Sequence, residues 1–415
     1  MSQYNQIENP YQEIFDQYAD VSSFLWVLRS LAVHRPHYSI QDIIKLEKRI
    51  QAQLDGLMSS IDEGWKACDK GLEIGEAGEV FTASVFAIRS HEMSHIRTAV
   101  EIGLSNEDAE KGLISAMGWL PENLAHPWID KFLNGKDLRH KYLGVASCGV
   151  RRHDPGDVLS LLASRDDCQA DPKLYSRVIR LIGELRRQDL MPLVLQSLTS
   201  DSQDIRFWAA WTSILLGDKR GLKLIKPFVF LDSIYRKKAI DIAFRALSVD
   251  VARNWISEMA AEKVAEKFII RATSVLGDPH AVNWLINKMK KPPLSRLAGE
   301  AFSMITGADF EKLGMVVQSE LANENSLDDG DTASVEYDLD DDLTQPDTQK
   351  VIRLWQQHGK NFIVGKRYFL GRPIDQTVLN RSLIYGLQRQ REFAAMELAM
   401  IESGQPLVNT SARQH

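Results

Sequence analysis

The stretch RFWAAWTSILLGDKRGLKL, residues 206–224, decides the reading of the fold. Phe207, Trp208, Trp211, Ile214 and Leu215 recur at helical spacing, so one face of a helix is apolar. Gly217 and Asp218 then interrupt the pattern, and a second amphipathic run begins at Gly221. A glycine suits a helix C-terminus because it takes the left-handed conformation without a Cβ clash.

The same grammar recurs along the chain. Gly118, Gly149, Gly183 and Gly217 stand 31, 34 and 34 residues apart; Leu247, Gly277 and Gly307 continue at intervals of 30. Each mark closes an apolar-periodic stretch and opens a polar turn, as in GVRRHDPGDV (149–158), GELRRQDLMP (183–192) and LGDPHAVNW (276–284). Arg206, Arg236 and Arg296 each precede their mark by 11 residues, and a second helix is expected after each turn, at 190–198, 221–228, 252–259 and 281–289. Two helices per 30–34 residues resemble HEAT-like repeats over residues 105–312. Tetratricopeptide repeats have a similar period, but their Trp, Tyr and Pro pattern is absent. The expected fold is therefore all-α, a HEAT-like α-solenoid of helical pairs.

The flanks differ from the array. Residues 1–104 read as an atypical helical cap, with stripes at Phe24, Leu25, Leu28 and Leu31, at Ile43, Leu46, Ile50, Leu54 and Leu57, and from Val80 to Ile88. Residues 313–349 contain no Lys, Arg or His and read as an acidic linker or loop. Asp338, Asp340 and Asp342 imitate the start of a calcium loop, but Leu343 and Gln349 stand where its glycine and bidentate glutamate belong. Residues 350–415 form a C-terminal helical element: a short helix at Val351–Trp355, a turn or strand-like KRYFLGRPI, and one helix from Asn380 to Glu402.

Composition bounds the function. The 415 residues are 44% hydrophobic and 26% charged, an ordinary globular balance. No apolar run approaches the roughly 20 residues of a membrane-spanning helix, and residues 1–12 lack the basic-then-apolar order of a secretory signal. A net charge of −6 argues against bulk affinity for nucleic acid. Cys68, Cys148 and Cys168 have no CxxC spacing and read as reduced thiols of a cytoplasmic protein.

Two constellations carry chemistry. His91-Glu92-Met93-Ser94-His95 matches HExxH, in which two histidines on one helix face bind zinc and the glutamate is a general base. No third histidine follows at a suitable distance, although Glu107 and Glu110 lie downstream, and IRSHEMSH reads as a polar turn between two helices. No metal or cofactor is assigned, and no phosphate-binding glycine loop is present. The second constellation is basic. Arg152, Arg186 and Arg220 are 34 residues apart in equivalent turns, flanked by Arg151, Arg187, Lys219 and Lys223. In stacked repeats these cations would form a ridge able to hold an acidic ligand, either the segment 328–342 folded back or a stretch of a protein partner.

SQDIRFWAAWTSILLGDKRGL, LSRLAGEAFSMITGADFE, KRYFLGRPI, LIYGLQRQREFAAMELAM and the closing Arg413-Gln414 resemble an uncharacterised bacterial family of HEAT-like proteins associated with type VI secretion gene clusters. The resemblance spans nearly the whole chain, carries no catalytic residues and does not include HEMSH. It implies a role in secretion without saying which. The long surface of an α-solenoid suits holding a protein or an extended peptide, so the expected function is a non-enzymatic cytoplasmic scaffold, in that context an accessory, adaptor or chaperone that handles an effector or spike component. A HEAT-like enzyme, either a zinc hydrolase through His91, Glu92 and His95 or a nucleic-acid glycosylase or lyase, is the alternative class. A nucleic-acid-binding solenoid ranks third.

Overall fold

The computed structural model describes residues 11–317, 340, 342–402 and 404–414. They form an all-α protein of 22 α-helices, with one hairpin of two-residue strands, Tyr368–Phe369 paired with Arg372–Pro373. None of these helices is long and apolar enough to cross a membrane. Contacts divide the described residues into two compact units: unit 1 holds those up to 34, 38–208 and from 404 on, and unit 2 holds 35–37 and 209–402. These units cut across the partition at 104, 312 and 349, because contacts follow packing and not local pattern.

Unit 1 is built around Ala77–Ser90, which is buried over eleven residues from Ala77 to Ile88, Glu79 excepted. Its sequence explains this, since AGEVFTASVFAIRS is apolar or small on nearly every face. Backbones approach closely there: a side chain at Gly112 would meet the Ala77 carbonyl, so the position needs glycine. Ser22, Ser23 and Thr82 satisfy one another's hydroxyls at 3.1 Å in this core. From here Ala77–Ser90 packs on Glu107–Trp119, which packs on Leu138–Arg151, which packs on Pro172–Glu184. In unit 2, Arg236–Ala246 packs on Glu266–Leu276, and that on Pro292–Thr306. The second helices of the pairs, Met191–Ser197, Arg220–Phe230, Val249–Ala261 and Val282–Lys288, fall close to the expected spans.

Helix closure differs from the glycine rule. Gly217, Gly277 and Gly307 have positive φ, as expected. Gly118, Gly149 and Gly183 instead lie inside helices. The left-handed residues of the two middle turns are Arg152 (φ 55°) and Arg186 (φ 60°). Each closes its helix by the same pair of bonds, Arg152 N–H to Gly149 O with His153 N–H to Cys148 O, and Arg186 N–H to Gly183 O with Arg187 N–H to Ile182 O. Gly149 serves another end, because a Cβ there would strike the Arg177 guanidinium.

Two further expectations are corrected. Of the first stripe only Leu25 is buried, at 1% exposure; Phe24, Leu28 and Leu31 face outward with Val27, Phe24 at 61%. Helix Gln12–Ala32 turns its Ala19, Ser22, Leu25, Trp26 and Arg29 side to the core instead. The single helix expected at 380–402 is two, Gln376–Tyr385 and Gln388–Ile401, parted at Gly386.

Candidate functional site: a strap across helix ends

Each predicted basic residue has a definite place. Arg151 donates to the carbonyls of Met117 and Leu120 at 2.9 and 2.7 Å, covering the end of helix Glu107–Trp119. Arg187 pairs with Asp154 and Asp189 at 2.9 and 2.7 Å. Arg186 is buried. These residues and Arg152 belong to unit 1. Lys219, Arg220 and Lys223 belong to unit 2 and are exposed, with Arg220 held by Asp218 at 2.6 Å.

Arg152 leads to a buried polar cluster in unit 1. The Glu184 side chain is 2% exposed and meets three guanidinium groups: Arg180 at 2.9 Å, Arg177 at 3.1 Å and Arg152 at 3.4 Å. Burial alone would raise the Glu184 pKa, but Arg177, Arg180 and Arg152 outweigh it and hold the carboxyl at about 2. Burial and mutual repulsion pull Arg152 and Arg177 below their ordinary values, yet arginine starts so high that both remain charged. Arg180 also lies over the Trp208 ring at 4.5 Å.

Across this cluster runs an unexpected element, residues 404–414. Leu407 N–H donates to Glu184 O at 2.8 Å, and Arg152 Nε donates to Leu407 O at 2.6 Å. Asn409 Nδ2 donates to Val150 O at 2.8 Å, and Arg413 Nη1 to Trp119 O at 2.9 Å. Glu184 and Trp119 are the last residues of their helices, and Val150 is the last but one of its own. The carbonyls at a helix end have no partner within the helix. Here three helix ends, 34 and 31 residues apart, are each met by one donor of the same crossing segment. Arg29, paired with Glu47 at 2.8 Å, donates to the Ser411 and Ala412 carbonyls at 2.9 and 3.1 Å, while Gln414 N–H donates to Glu47 at 2.8 Å. Arg413 stacks on the Trp119 ring at 4.4 Å, and Leu407 and Thr410 are buried.

Unit 2 repeats the arrangement with residues 367–371. Arg367 donates to Leu276 O and Val275 O at 2.9 and 3.2 Å, Tyr368 N–H to Gly277 O at 2.8 Å, and Leu370 N–H to Met304 O at 2.7 Å. A buried carboxylate again sits beneath: Glu397 pairs with Arg245 at 3.4 Å and with Arg367.

Most of the acidic segment 328–342 lies outside the described residues. Residues 318–339 and 341, with most of the acidic run and Asp338 of the calcium-like pattern, lie outside the described residues. The flanking pieces pair in unit 2, Val317 N–H to Gln345 O at 3.1 Å and Asp347 N–H to Met315 O at 2.7 Å. Asp340 pairs with Arg389 at 2.7 Å and Asp342 with Arg35 at 3.2 Å. So the chain that crosses the unit 1 arginines is 404–414, which carries no carboxylate side chain, and they meet it mostly through backbone carbonyls.

HEMSH is a turn. His91 closes helix Ala77–Ser90 with φ 60°, Glu92 precedes helix Met93–Gly103, and His95 lies within that next helix, stacked on Trp65 at 4.1 Å. Among the described residues no three His, Cys, Asp or Glu side chains gather in a metal-holding group. Sequence reasoning found the 34-residue spacing of Arg152 and Arg186 but missed Arg29, Glu47, Glu184 and the strap. Comparison of the chain with protein-family models, with curated proteins and with solved structures produced no match.

Proposed function

We propose that this protein is a non-enzymatic protein-binding scaffold: a HEAT-like α-solenoid that serves type VI secretion as an accessory, adaptor or chaperone for an effector or spike component in the cytoplasm. Packing of alternate helices and the equal closures at Arg152 and Arg186 support the repeat reading. The observation that carries the binding role is the strap. Unit 1 holds an irregular stretch of chain by bonds to helix-end carbonyls, which every repeat offers whatever its side chains. The link to secretion rests on the sequence resemblance alone.

The test is co-purification. Tagged full-length protein, expressed with the spike, adaptor and effector proteins encoded beside it, should retain one of them through gel filtration. Recovery of the tagged chain alone, together with unchanged secretion on gene deletion, refutes the proposal.

A further inference from the structure

We infer that the helix-end edge of unit 1 is a peptide-binding groove, occupied in cis by residues 404–414 and open to a partner segment of the pattern Leu-x-Asn-x-x-x-Arg-Gln. This deepens the scaffold reading and rests on it, because it names what the scaffold holds.

The pattern comes from the contacts. The Leu407 side chain is buried, its N–H donates to Glu184 O and its carbonyl accepts from the Arg152 side chain. Asn409 reads the Val150 carbonyl. Arg413 spans the Trp119 carbonyl, the Trp119 ring and Gln51 Oε1, the last at 3.0 Å. The Gln414 amide closes on Glu47. From Leu407 to Arg413 the chain reaches at most about 20 Å, the width of two helix spacings. One donor is therefore available per helix end, and a segment of other spacing would fall out of step.

The receptor is set independently of the segment. Arg29 is anchored by Glu47, and Arg152 shares Glu184 with Arg177 and Arg180, so the donors that face the strap are aimed by groups beneath it. Nearly all the bonds are polar and reach a half-buried strand of chain; residues 411–414 are neither fully buried nor fully exposed. Such a strap is exchangeable, unlike a core helix. While bound in cis it competes at the effective concentration of a tethered ligand, of order millimolar, and masks the groove from weak partners.

The test uses the full chain and a fluorescein-labelled synthetic peptide of residues 404–415. In the full-length double variant Asn409→Ala, Arg413→Ala the receptor is untouched and only the cis strap is weakened. The labelled peptide should bind this variant at least about tenfold more tightly than it binds the unaltered chain, a factor within what two net hydrogen bonds supply. A scrambled peptide should bind neither. As a measurement that needs no variant, saturating unlabelled peptide should speed hydrogen exchange of residues 404–414 in the unaltered chain. Equal affinity for both chains, equal binding of the scrambled peptide, or exchange unmoved by the peptide overturns the inference. Such a failure leaves the scaffold reading standing if a secretion protein still co-purifies, whereas peptide binding without any co-purifying protein sinks that reading and not this one.

Discussion

Replacing Glu184 by Gln keeps the shape of the side chain and removes the one carboxylate that three guanidinium groups share. The fall from the ordinary 4.5 to about 2 measures how strongly the folded state prefers the ionised form. At about 1.4 kcal/mol for each tenfold change, that fall corresponds to about 3 kcal/mol. An independent route agrees, since removing one partner from a buried ion pair costs roughly 3–5 kcal/mol. The sign follows from the direction of the shift. A depressed carboxyl stabilises fully above its unfolded value and loses that contribution as pH falls toward its folded value. The two chains should therefore differ most at pH 7 and converge near pH 2. Peptide-resolved hydrogen exchange is the assay, because it separates the two units. Amides of Pro172–Glu184 should exchange about 100-fold faster in the variant at pH 7, while those of Arg236–Ala246 in unit 2 stay unchanged. Equal exchange at pH 7, or a gap that persists undiminished near pH 2, would refute the account of the cluster.

Other outcomes follow from burial. Leu25→Ala should cost roughly 2–5 kcal/mol and Phe24→Ala within about 0.5, because Leu25 is 1% exposed and Phe24 is 61% exposed; urea unfolding distinguishes them. Phe302→Ala in unit 2 should cost about 3–5 kcal/mol, since this fully buried ring contacts Phe310 and Trp355, and a calorimetric trace equal to the unaltered protein would count against that packing. Burial pushes the Cys148 thiol up to about 12 and raises Cys68 and Cys168 as well, so a thiol reagent at pH 8 should label none of the three until denaturant is added.

What could be read from the chain was what is local. RFWAAWTSILLG carries its own period and its own stop, and helix Gln203–Leu215 ends beside Gly217 as that stop requires. Gln12–Ala32 was harder because it is apolar on two faces, and periodicity alone does not say which one meets the core. Gly149 misled for a steric reason: it looks like a cap, yet it makes room for the Arg177 guanidinium of helix Pro172–Glu184. The arginines at 152 and 186 looked like surface charge because exposed turns are usually charged; their positive φ, the burial of Arg186 and the buried partner of Arg152 leave no mark in composition. The strap was invisible for the plainest reason. GQPLVNTSARQ has no period, and its partners lie hundreds of residues away, so no window of sequence contains both sides of the contact.

That separation bears on how the molecule is made. Arg29 and Ser411 are 382 residues apart, and the bond between them joins a helix to a segment translated that much later. At about 5–20 residues per second, a ribosome takes roughly 20–80 s to cover that distance. Of that distance, the 223 residues from Glu184 to Leu407 take roughly 11–45 s at the same rate, and during that time the helix ends at Trp119, Val150 and Glu184 have been synthesised and their crossing segment does not yet exist. The edge of unit 1 is therefore presented to whatever chain is nearby during every round of synthesis, and a partner that meets the nascent chain finds there a surface that the finished protein keeps covered.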